Sequence, residues 1–387
     1  MKTVKYPEVW DLDVFFKDGS ESEEFKSFIN NIPAKIDSLR ETVDALAVPT
    51  STQDALKIAE VLEKIKEVMA HISHAGGVLS CLTAQDTTDR EALLLQGKLG
   101  AISATTSPVI QKFHKLLTDA DAEVFDALLA TDELSPFSFV MSEWREQARL
   151  KLSQEEEALI SALGVDGYHS WGQLYNMLIG DIKVQVEVDG EVKTLSVGQA
   201  NNLGSHKDPK VRKDAFDALE KVFTEKEEFF AKTLNHLGGF RLATYKARGW
   251  ENVLQEPLQI NRMKQETLDA MWGAITDHKA QFAEFLTHKA NMIGKEAMHW
   301  YDFDAPVTAS TATMPYQEGA EFILKQFGKF GKELEAFTKK AFEDGWIEAE
   351  DRDNKRPGGF CTGMPLAEQS RIFMTYSGTM SNVSTLA

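Results

Sequence analysis

The chain has 387 residues, of which 43% are hydrophobic and 26% charged, and its formal net charge at pH 7 is −18. This composition is typical of a globular protein with room for more than one hydrophobic core. An acidic chain repels phosphate groups, so we do not expect nucleic acids or anionic membrane surfaces as partners. Its two cysteines do not form a disulfide framework, and it contains neither a signal peptide nor a run of about 20 apolar residues. We therefore expect a cytoplasmic protein.

The first 200 residues are predicted to be mostly helical. After an arm of about 20 residues, an apolar stripe from Phe25 to Leu39 indicates a helix, which Pro33 would kink or restart. A second helix begins near residues 49–52, and others are predicted around 90–117, 121–130 and 152–163. The one clear β element is DIKVQVEVDGEVKTLSV, which alternates on both sides of Asp189-Gly190 and predicts a hairpin within 182–197.

The next 150 residues show three long helical stripes. They run from Val211 to Leu234, from Leu268 to Ile293 and from Tyr316 to Ala341, and Asp208-Pro209 caps the first. Such stripes normally pack into a core, so we expect long helices packed on helices. We divide the chain into a helical N-terminal lobe, 1–200, which includes the hairpin, and a second domain, 201–387.

The last 33 residues, Lys355 to Ala387, change character again. A Gly-rich turn and extended segment, Pro357–Cys361, precedes a predicted strand, Arg371–Tyr376. Ser381 can then cap a helix that is only one and a half turns long when the sequence stops. Because so short a helix is unstable on its own, we expect the sequence to end inside an element of a longer fold.

Recognisable catalytic motifs are missing from the sequence. None of the nine histidines is followed by another four residues later, so no H-E-x-x-H zinc motif is present. His71 and His74 lie three residues apart, as do Glu296 and His299, and we interpret both pairs as packing or surface residues. Ser170 lies in Tyr-His-Ser-Trp-Gly, which lacks the first glycine of the G-x-S-x-G elbow. No phosphate-binding glycine loop occurs.

The segment Gly358, Gly359, Phe360 and Cys361 has two interpretations. Glycines in a strand let another backbone come close, so an exposed edge could bind an extended peptide through main-chain hydrogen bonds. The alternative is a tight turn between a helix and a strand, and the residues alone do not decide between them. Cys361 lacks a neighbouring histidine in sequence, so a strand or buried cysteine is favoured over a nucleophile.

The C-terminal sequence KRPGGFCTG…RIFMTYSGTMSNVSTLA resembles the oligoendopeptidase F family and its thimet-oligopeptidase-like relatives. The stretches Lys246–Trp250 and Trp300–Pro306 strengthen the resemblance. It implies a mainly α fold with two helical lobes around a channel and a small sheet near the C-terminus. It also implies a hydrolase that uses one zinc ion to cut internal bonds of short peptides in the cytoplasm.

Carried over by resemblance, Gly358, Gly359, Phe360 and Cys361 form the strand along bound substrate, and Ser381–Ala387 lead into the zinc helix. The family's H-E-x-x-H motif follows that point and is absent from this sequence. We therefore assign no catalytic and no metal-binding residue, and expect zinc in a complete family member but none on this chain alone. The chain is predicted to be an N-terminal portion of the peptidase, truncated before the zinc helix and inactive by itself.

Two other hypotheses stay open. The chain could be a non-catalytic helical module that binds peptides or a partner, with self-association through apolar surface that truncation would expose. A helical scaffold unrelated to peptidases is the third, and the strand followed by a helix at the C-terminus argues against it.

Overall fold

The computed structural model describes residues 5–307, 313–352, 354–356 and 358–387, and these residues are mainly helical. The helices are α1 (Glu23–Asp44), α2 (Ala55–Gln85), α3 (Arg90–Ala104), α4 (Ser107–Asp119), α5 (Ala122–Leu129), α6 (Ser138–Arg149), α7 (Gln154–Gly164), α8 (Ser170–Asp181), α9 (Val197–Asn202), α10 (Pro209–Glu225), α11 (Glu227–Ala247), α12 (Gln255–Ile260), α13 (Gln265–Asp277), α14 (Lys279–Met292), α15 (Tyr316–Phe330), α16 (Lys332–Glu343) and α17 (Met380–Leu386). The strands are β1 (Val184–Val188), β2 (Glu191–Leu195), β3 (Ile347–Glu348), β4 (Phe360–Met364) and β5 (Gln369–Phe373). None of the described helices is long and apolar enough to cross a lipid bilayer.

The chain divides into two compact units. The first consists of Met1–Arg149 and Ala312–Ala387, and the second of Leu150–Thr311. The sequence-based boundary at residue 200 falls inside the second unit, between the hairpin and α10. The two compact units do not coincide with the domains 1–200 and 201–387. That division concerns functional domains and stays a prediction.

The first unit is built around α1 and α2. The Ser22 side chain accepts a hydrogen bond from the Phe25 N–H and so caps α1. The buried face of α1 contains Phe25, Ile29, Ile32, Ile36 and Leu39, which pack with the N-terminal arm, α2 and the strands β4 and β5. The helix runs unbroken through Pro33, so the predicted apolar stripe is confirmed and no second helix starts there.

The predicted hairpin lies in the second unit. Asp189 and Gly190 have φ values of 55° and 83°, which is the positive φ that a type I′ turn requires at both central residues. Strands β1 and β2 pair antiparallel with Val184 opposite Leu195. Alternate residues of β1 are buried against α9 and α10, whereas β2 is mostly exposed, and the position of the hairpin is as predicted.

Each of the three long helical stripes is broken into two helices in the structure. The breaks fall at Lys226, at His278 and at Gly331, whose φ of −171° and ψ of 143° are extended. The burial of the stripes also differs. Tyr316, Ala320 and Ile323 of α15 are core residues as expected, but the stripe from 268 to 293 is largely exposed. The expectation that all three stripes pack into a core is therefore wrong for α13 and α14. It is also wrong for the α11 part of the first stripe, where Phe229 and Leu234 are 61% and 56% exposed.

A three-stranded sheet lies at the C-terminal end of the first unit, in the order β3-β5-β4. Strand β5 pairs in parallel with β3 and antiparallel with β4. The chain then turns at Gly378, whose φ is 81°, into α17. The cap of α17 is Thr379, which forms a capping box with Asn382, and not Ser381 as predicted.

Candidate functional site

The segment selected from the sequence lies at the start of an edge strand. Within the described part of the sheet, β4 pairs with β5 on one side and with no strand on the other. Phe360 is half-buried, while Gly358, Gly359 and Cys361 are exposed. Pro357, the first residue of the predicted turn, is outside the described residues.

The two glycines have different structural roles. Gly358 has a φ of 90°, which the single hydrogen of glycine permits at little cost, and it turns the chain into β4. Gly359 has ordinary φ, but a Cβ there would lie 2.9 Å from the Phe373 carbonyl oxygen. The backbone that comes close at Gly359 is therefore the chain's own strand β5. Both glycines are required by the turn and the sheet, whether or not the free edge of β4 binds a ligand.

A buried carboxylate lies on β3, at the opposite edge of the same sheet. Glu348, at the end of β3, is fully buried and accepts a hydrogen bond from Arg352 at 2.8 Å. The Lys355 ammonium lies 3.3 Å from the same oxygen, and the Trp10 backbone N–H donates to the other oxygen at 3.3 Å. The carboxylate thus joins the N-terminal arm to the connection between β3 and β4.

Lys355 continues this network into β5. Its ammonium donates to the backbone carbonyls of Met374, at 2.9 Å, and Glu350, at 2.6 Å. It also lies over the Phe373 ring, 4.9 Å from the centroid. Burial lowers the pKa of Lys355, and the Glu348 carboxylate opposes that shift. Lys355, three residues before Gly358, is therefore joined to Glu348 of β3 and to Met374, which follows β5.

Arg371 of β5 is a second buried cation, and its side chain is fully enclosed. It donates to the backbone carbonyl of Asp11 at 2.9 Å, and its guanidinium carbon lies 4.4 Å from the Phe15 ring centroid. In the pairing register it lies opposite Thr362 of β4. Burial lowers its pKa, although an arginine keeps its charge at any physiological pH. This arginine fixes the arm onto the inner face of the sheet.

The two cysteines differ sharply in accessibility. Cys361 is exposed on β4, which agrees with a strand cysteine and not with a buried one. Cys81 is completely buried in α2, and burial raises the pKa of its thiol to about 12. A thiol reagent should therefore react with Cys361 in the folded chain and leave Cys81 untouched.

Helix α2 packs directly on β4 at Gly77. A Cβ on Gly77 would lie 2.9 Å from both the Gly363 carbonyl oxygen and the Met364 sulfur, while one on Gly76 would lie 3.8 Å from its nearest neighbour, a Leu99 methyl. Alanine in a helix is favoured over glycine by about 1 kcal/mol, whereas overpacking costs about 1–3 kcal/mol.

We expect Gly76→Ala to raise the free energy of unfolding by up to about 1 kcal/mol and Gly77→Ala to lower it by about 1 kcal/mol. Urea denaturation of both variants measures the difference. Equal stabilisation by the two substitutions would contradict the close packing of α2 on β4.

The residues that the structure describes do not form a zinc centre. Zinc in proteins is held by three or four His, Cys, Asp or Glu side chains. In the ranges that the structure describes, no group of three such residues is close enough together to hold a metal ion. The histidine pairs have packing roles instead. His74 is buried and contacts the rings of Phe15, Phe16 and Phe28, and His299 stacks on Tyr301.

His74 makes stability depend on pH. Burial lowers the pKa of His74 below its ordinary value of 6.5, with a smaller contribution from His71. The unfolded chain therefore protonates His74 at a higher pH than the folded chain does. Neutral, buried His74 makes its full contribution to the free energy of unfolding above pH 6.5, and this contribution is lost as the pH falls below 6.5 towards the lowered pKa of the folded chain. We expect unfolding midpoints to fall less between pH 7.5 and 5.5 in His74→Leu than in the wild type. The exposed His288→Leu serves as the control, and a wild-type-like pH profile in His74→Leu would disprove this assignment.

The buried charges Glu348, Lys355 and Arg371 were not identified from the sequence as site residues. Glu348 and Trp10 are 338 positions apart, and no local pattern predicts their contact. The sequence offered only a weak signal for these residues. They lie in or next to short β-rich segments, whereas most other charged residues of the chain lie on helix surfaces.

Comparison with known proteins finds the same similarity along almost the whole chain. The profile of the family described as Oligopeptidase F matches residues 117–183. Oligopeptidase PepF of Bacillus subtilis is 24% identical over 395 residues, covering 99% of this chain and 56% of that protein. The oligoendopeptidase F homolog of Lactococcus lactis is 23% identical, covering 97% of this chain and 62% of that protein. The chain therefore spans little more than half the length of these relatives.

Solved structures agree on the fold. An oligoendopeptidase-F from Enterococcus faecium superposes with a TM-score of 0.61 at 17% identity, covering 84% of this chain and 66% of that one. PZ peptidase A, solved with an inhibitor, superposes with a TM-score of 0.67 at 16% identity, covering 92% and 60%. The helical architecture with a small hairpin and a small C-terminal sheet is thus that of these peptidases. Together with the sequence matches, this makes the chain similar to the oligoendopeptidase F family along almost its whole length.

Proposed function

We propose that this chain is an N-terminal portion of a zinc-dependent oligoendopeptidase that hydrolyses internal bonds of short peptides. The observation that carries the proposal is the similarity to Oligopeptidase PepF over 99% of the chain. The hydrolytic function belongs to the whole protein. On this proposal the metal and the catalytic groups come from sequence beyond this chain, and residues 1–387 alone are inactive; the absence of an H-E-x-x-H motif from the sequence supports it.

The part that we assign to this chain is holding the substrate. The exposed start of β4 has backbone groups that no other described strand pairs with, and an extended peptide can add to such an edge. Main-chain hydrogen bonds demand little of the peptide sequence, which suits an enzyme acting on many short peptides in the cytoplasm. We assign Gly358, Gly359, Phe360 and Cys361 to this contact. In the same sheet, the network of Glu348 and Lys355 keeps the edge in place.

The exposed thiol on β4 allows a direct test. A maleimide should alkylate Cys361 in the folded 387-residue chain, and a saturating concentration of an unmodified ten-residue peptide should slow that reaction several-fold. The Cys361→Ser variant confirms which thiol is labelled. An unchanged rate of alkylation would contradict the assignment of β4.

A hydrolysis assay tests the proposed inactivity of this portion. An internally quenched peptide incubated with the same chain should show no chelator-sensitive hydrolysis, and zinc-dependent cleavage by a homogeneous sample would overturn the proposal that residues 1–387 are inactive alone.

The second candidate is a non-catalytic helical module that binds peptides or a partner protein. The exposed apolar residues of the second unit favour it, because large apolar patches on a protein surface commonly mark interaction sites. The two candidates differ in one experiment. Hydrolysis should appear when this chain is extended to the full length of its relatives if the first is correct, and should stay absent if the second is.

A further inference from the structure

The three-stranded sheet of the first unit has two edges, and the N-terminal arm covers one of them. The N–H groups of Ala349 and Glu350 both donate to the Glu8 carbonyl, at 2.7 and 3.1 Å, and the Asp11 N–H donates to the Gly345 carbonyl at 2.8 Å. The outer side of β3 is therefore closed by the arm. Within the described residues, β4 is left as the edge to which a further strand can add.

The hydrogen bonds of β5 determine which backbone groups of β4 face that edge. Ile372 of β5 and Met374, which follows it, donate their N–H groups to carbonyls in and next to β3, at 3.0 and 2.9 Å. Successive residues of a strand direct their backbone groups to opposite sides, so the backbone groups of Arg371 and Phe373 face β4. These two residues are the ones that bond to β4.

The register then fixes the outward groups of β4. Phe360 lies opposite the second of those β5 residues and Thr362 opposite the first, so both direct their N–H and C=O groups towards β5. The N–H and C=O groups of Cys361, between them, point outwards. The Gly359 carbonyl also points outwards, because it lies opposite the Phe360 N–H across one planar peptide bond.

Helix α2 closes the same edge one step further along β4. By the same alternation the Gly363 carbonyl points outwards, but it faces α2 at Gly77, where a Cβ would lie 2.9 Å from that oxygen. A helix backbone this close leaves no space for a peptide strand about 4.8 Å from β4. The turn at Gly358 ends the edge on the other side. We call the part that is left, with the outward carbonyls of Gly359 and Cys361, the pairing window.

We propose that the pairing window selects peptides with two free main-chain N–H groups two residues apart, and that α2 prevents a third such contact. This inference rests on the proposed role of β4 in holding substrate. The N–H groups on one side of an extended peptide recur at every second residue, which matches the two outward carbonyls. Proline has no N–H, so it is excluded from these two positions of a bound peptide. At the residue between them, proline removes no hydrogen bond to β4.

Seven-residue peptides with N-methylated backbones test the window, and protection of Cys361 from a maleimide measures their dissociation constants. A peptide whose only two free N–H groups are two residues apart should bind as tightly as the unmethylated peptide. With the two free N–H groups on adjacent residues, the dissociation constant should rise about fivefold or more, because one hydrogen bond is lost. A third free N–H, two residues further on, should tighten binding by no more than about twofold, the statistical gain from a second register.

Cys361→Pro tests the window from the protein side. It removes the outward N–H, and an edge strand accepts proline where the nitrogen faces away from the ladder. Fluorescence anisotropy of a labelled, unmethylated peptide should show an affinity about fivefold lower or less, with circular dichroism verifying the fold.

The outcomes separate this inference from the proposed function. If the unmethylated peptide does not protect Cys361, the role of β4 in holding substrate fails, and the pairing window fails with it. If that peptide protects Cys361 but adjacent N–H groups serve equally well, or a third N–H tightens binding about fivefold, peptide binding stands and the restriction by α2 is overturned. Undiminished affinity of a folded Cys361→Pro variant would also overturn the window.

Discussion

Replacing Glu348 with glutamine is expected to lower the free energy of unfolding by about 3–5 kcal/mol. The substitution keeps the shape of the side chain and removes its charge. Lys355, whose side chain is 3% exposed, would then keep a buried ammonium with only carbonyl partners, and Arg352 would keep only its more exposed ion pair, with Glu350. A single unpaired charge in a protein interior costs much more than a missing surface salt bridge.

Chemical denaturation of the 387-residue chain measures this effect, with Glu350→Gln as the matched control. Glu350 also lies close to Arg352, at 3.0 Å, but its side chain is 47% exposed, so its loss should cost less than about 1 kcal/mol. The double variant Glu348→Gln with Lys355→Met removes both charges and should recover a large part of the loss. Equal effects of Glu348→Gln and Glu350→Gln would show that burial of the network contributes little.

The same substitution connects stability with the proposed site. Lys355 donates to the Met374 carbonyl at the end of β5, and the chain from Lys355 to Phe360 leads directly into β4. When the Glu348 carboxylate is lost, the start of β4 should open before the rest of the unit does. The buried Cys81 thiol on α2 reports such opening, because it can react with a thiol reagent only when the strand that packs on α2 moves away from it.

Local signals in the sequence predicted local structure well. Asp189-Gly190 between alternating segments predicted the hairpin because the turn type is set by backbone conformation at two residues. In the same way, Asp208 was predicted as a cap because its carboxylate reaches the Lys210 N–H two residues away. Such features depend on a few neighbouring residues, and the surrounding protein rarely changes them.

The helix breaks and the buried charges depended on distant residues and could not be predicted in the same way. A helical stripe passes unchanged through Lys226 and His278, since a single residue outside helical geometry does not alter the spacing of its neighbours. Periodicity also shows only that a face is apolar, and not whether another surface covers it. That is why α15 is buried as predicted while α13 and α14 are not.

The second unit contains its own buried ion pair, between Arg212 of α10 and Asp302 in the stretch Trp300–Pro306. Two guanidinium nitrogens of Arg212 donate to one oxygen of Asp302, at 3.1 and 2.7 Å, and both side chains are almost completely buried. A third nitrogen donates to the carbonyls of His206 and Lys207, so the guanidinium joins three segments. From the sequence, Asp302 was noted only within the stretch Trp300–Pro306, as part of the family resemblance.

We expect Asp302→Asn to lower the free energy of unfolding of the second unit by about 3–5 kcal/mol, because it leaves the Arg212 charge buried and unpaired. Asp304→Asn is the matched control, since that carboxylate lies two residues further on and is exposed. Hydrogen exchange is the suitable measurement, because it distinguishes loss of protection in α10 and the hairpin from any change in the first unit. Faster exchange in α10 with Asp302→Asn but not with Asp304→Asn is the expected result. Unchanged protection of α10 in both variants would mean that the pair is neutral, as some buried ion pairs are when their desolvation offsets their attraction.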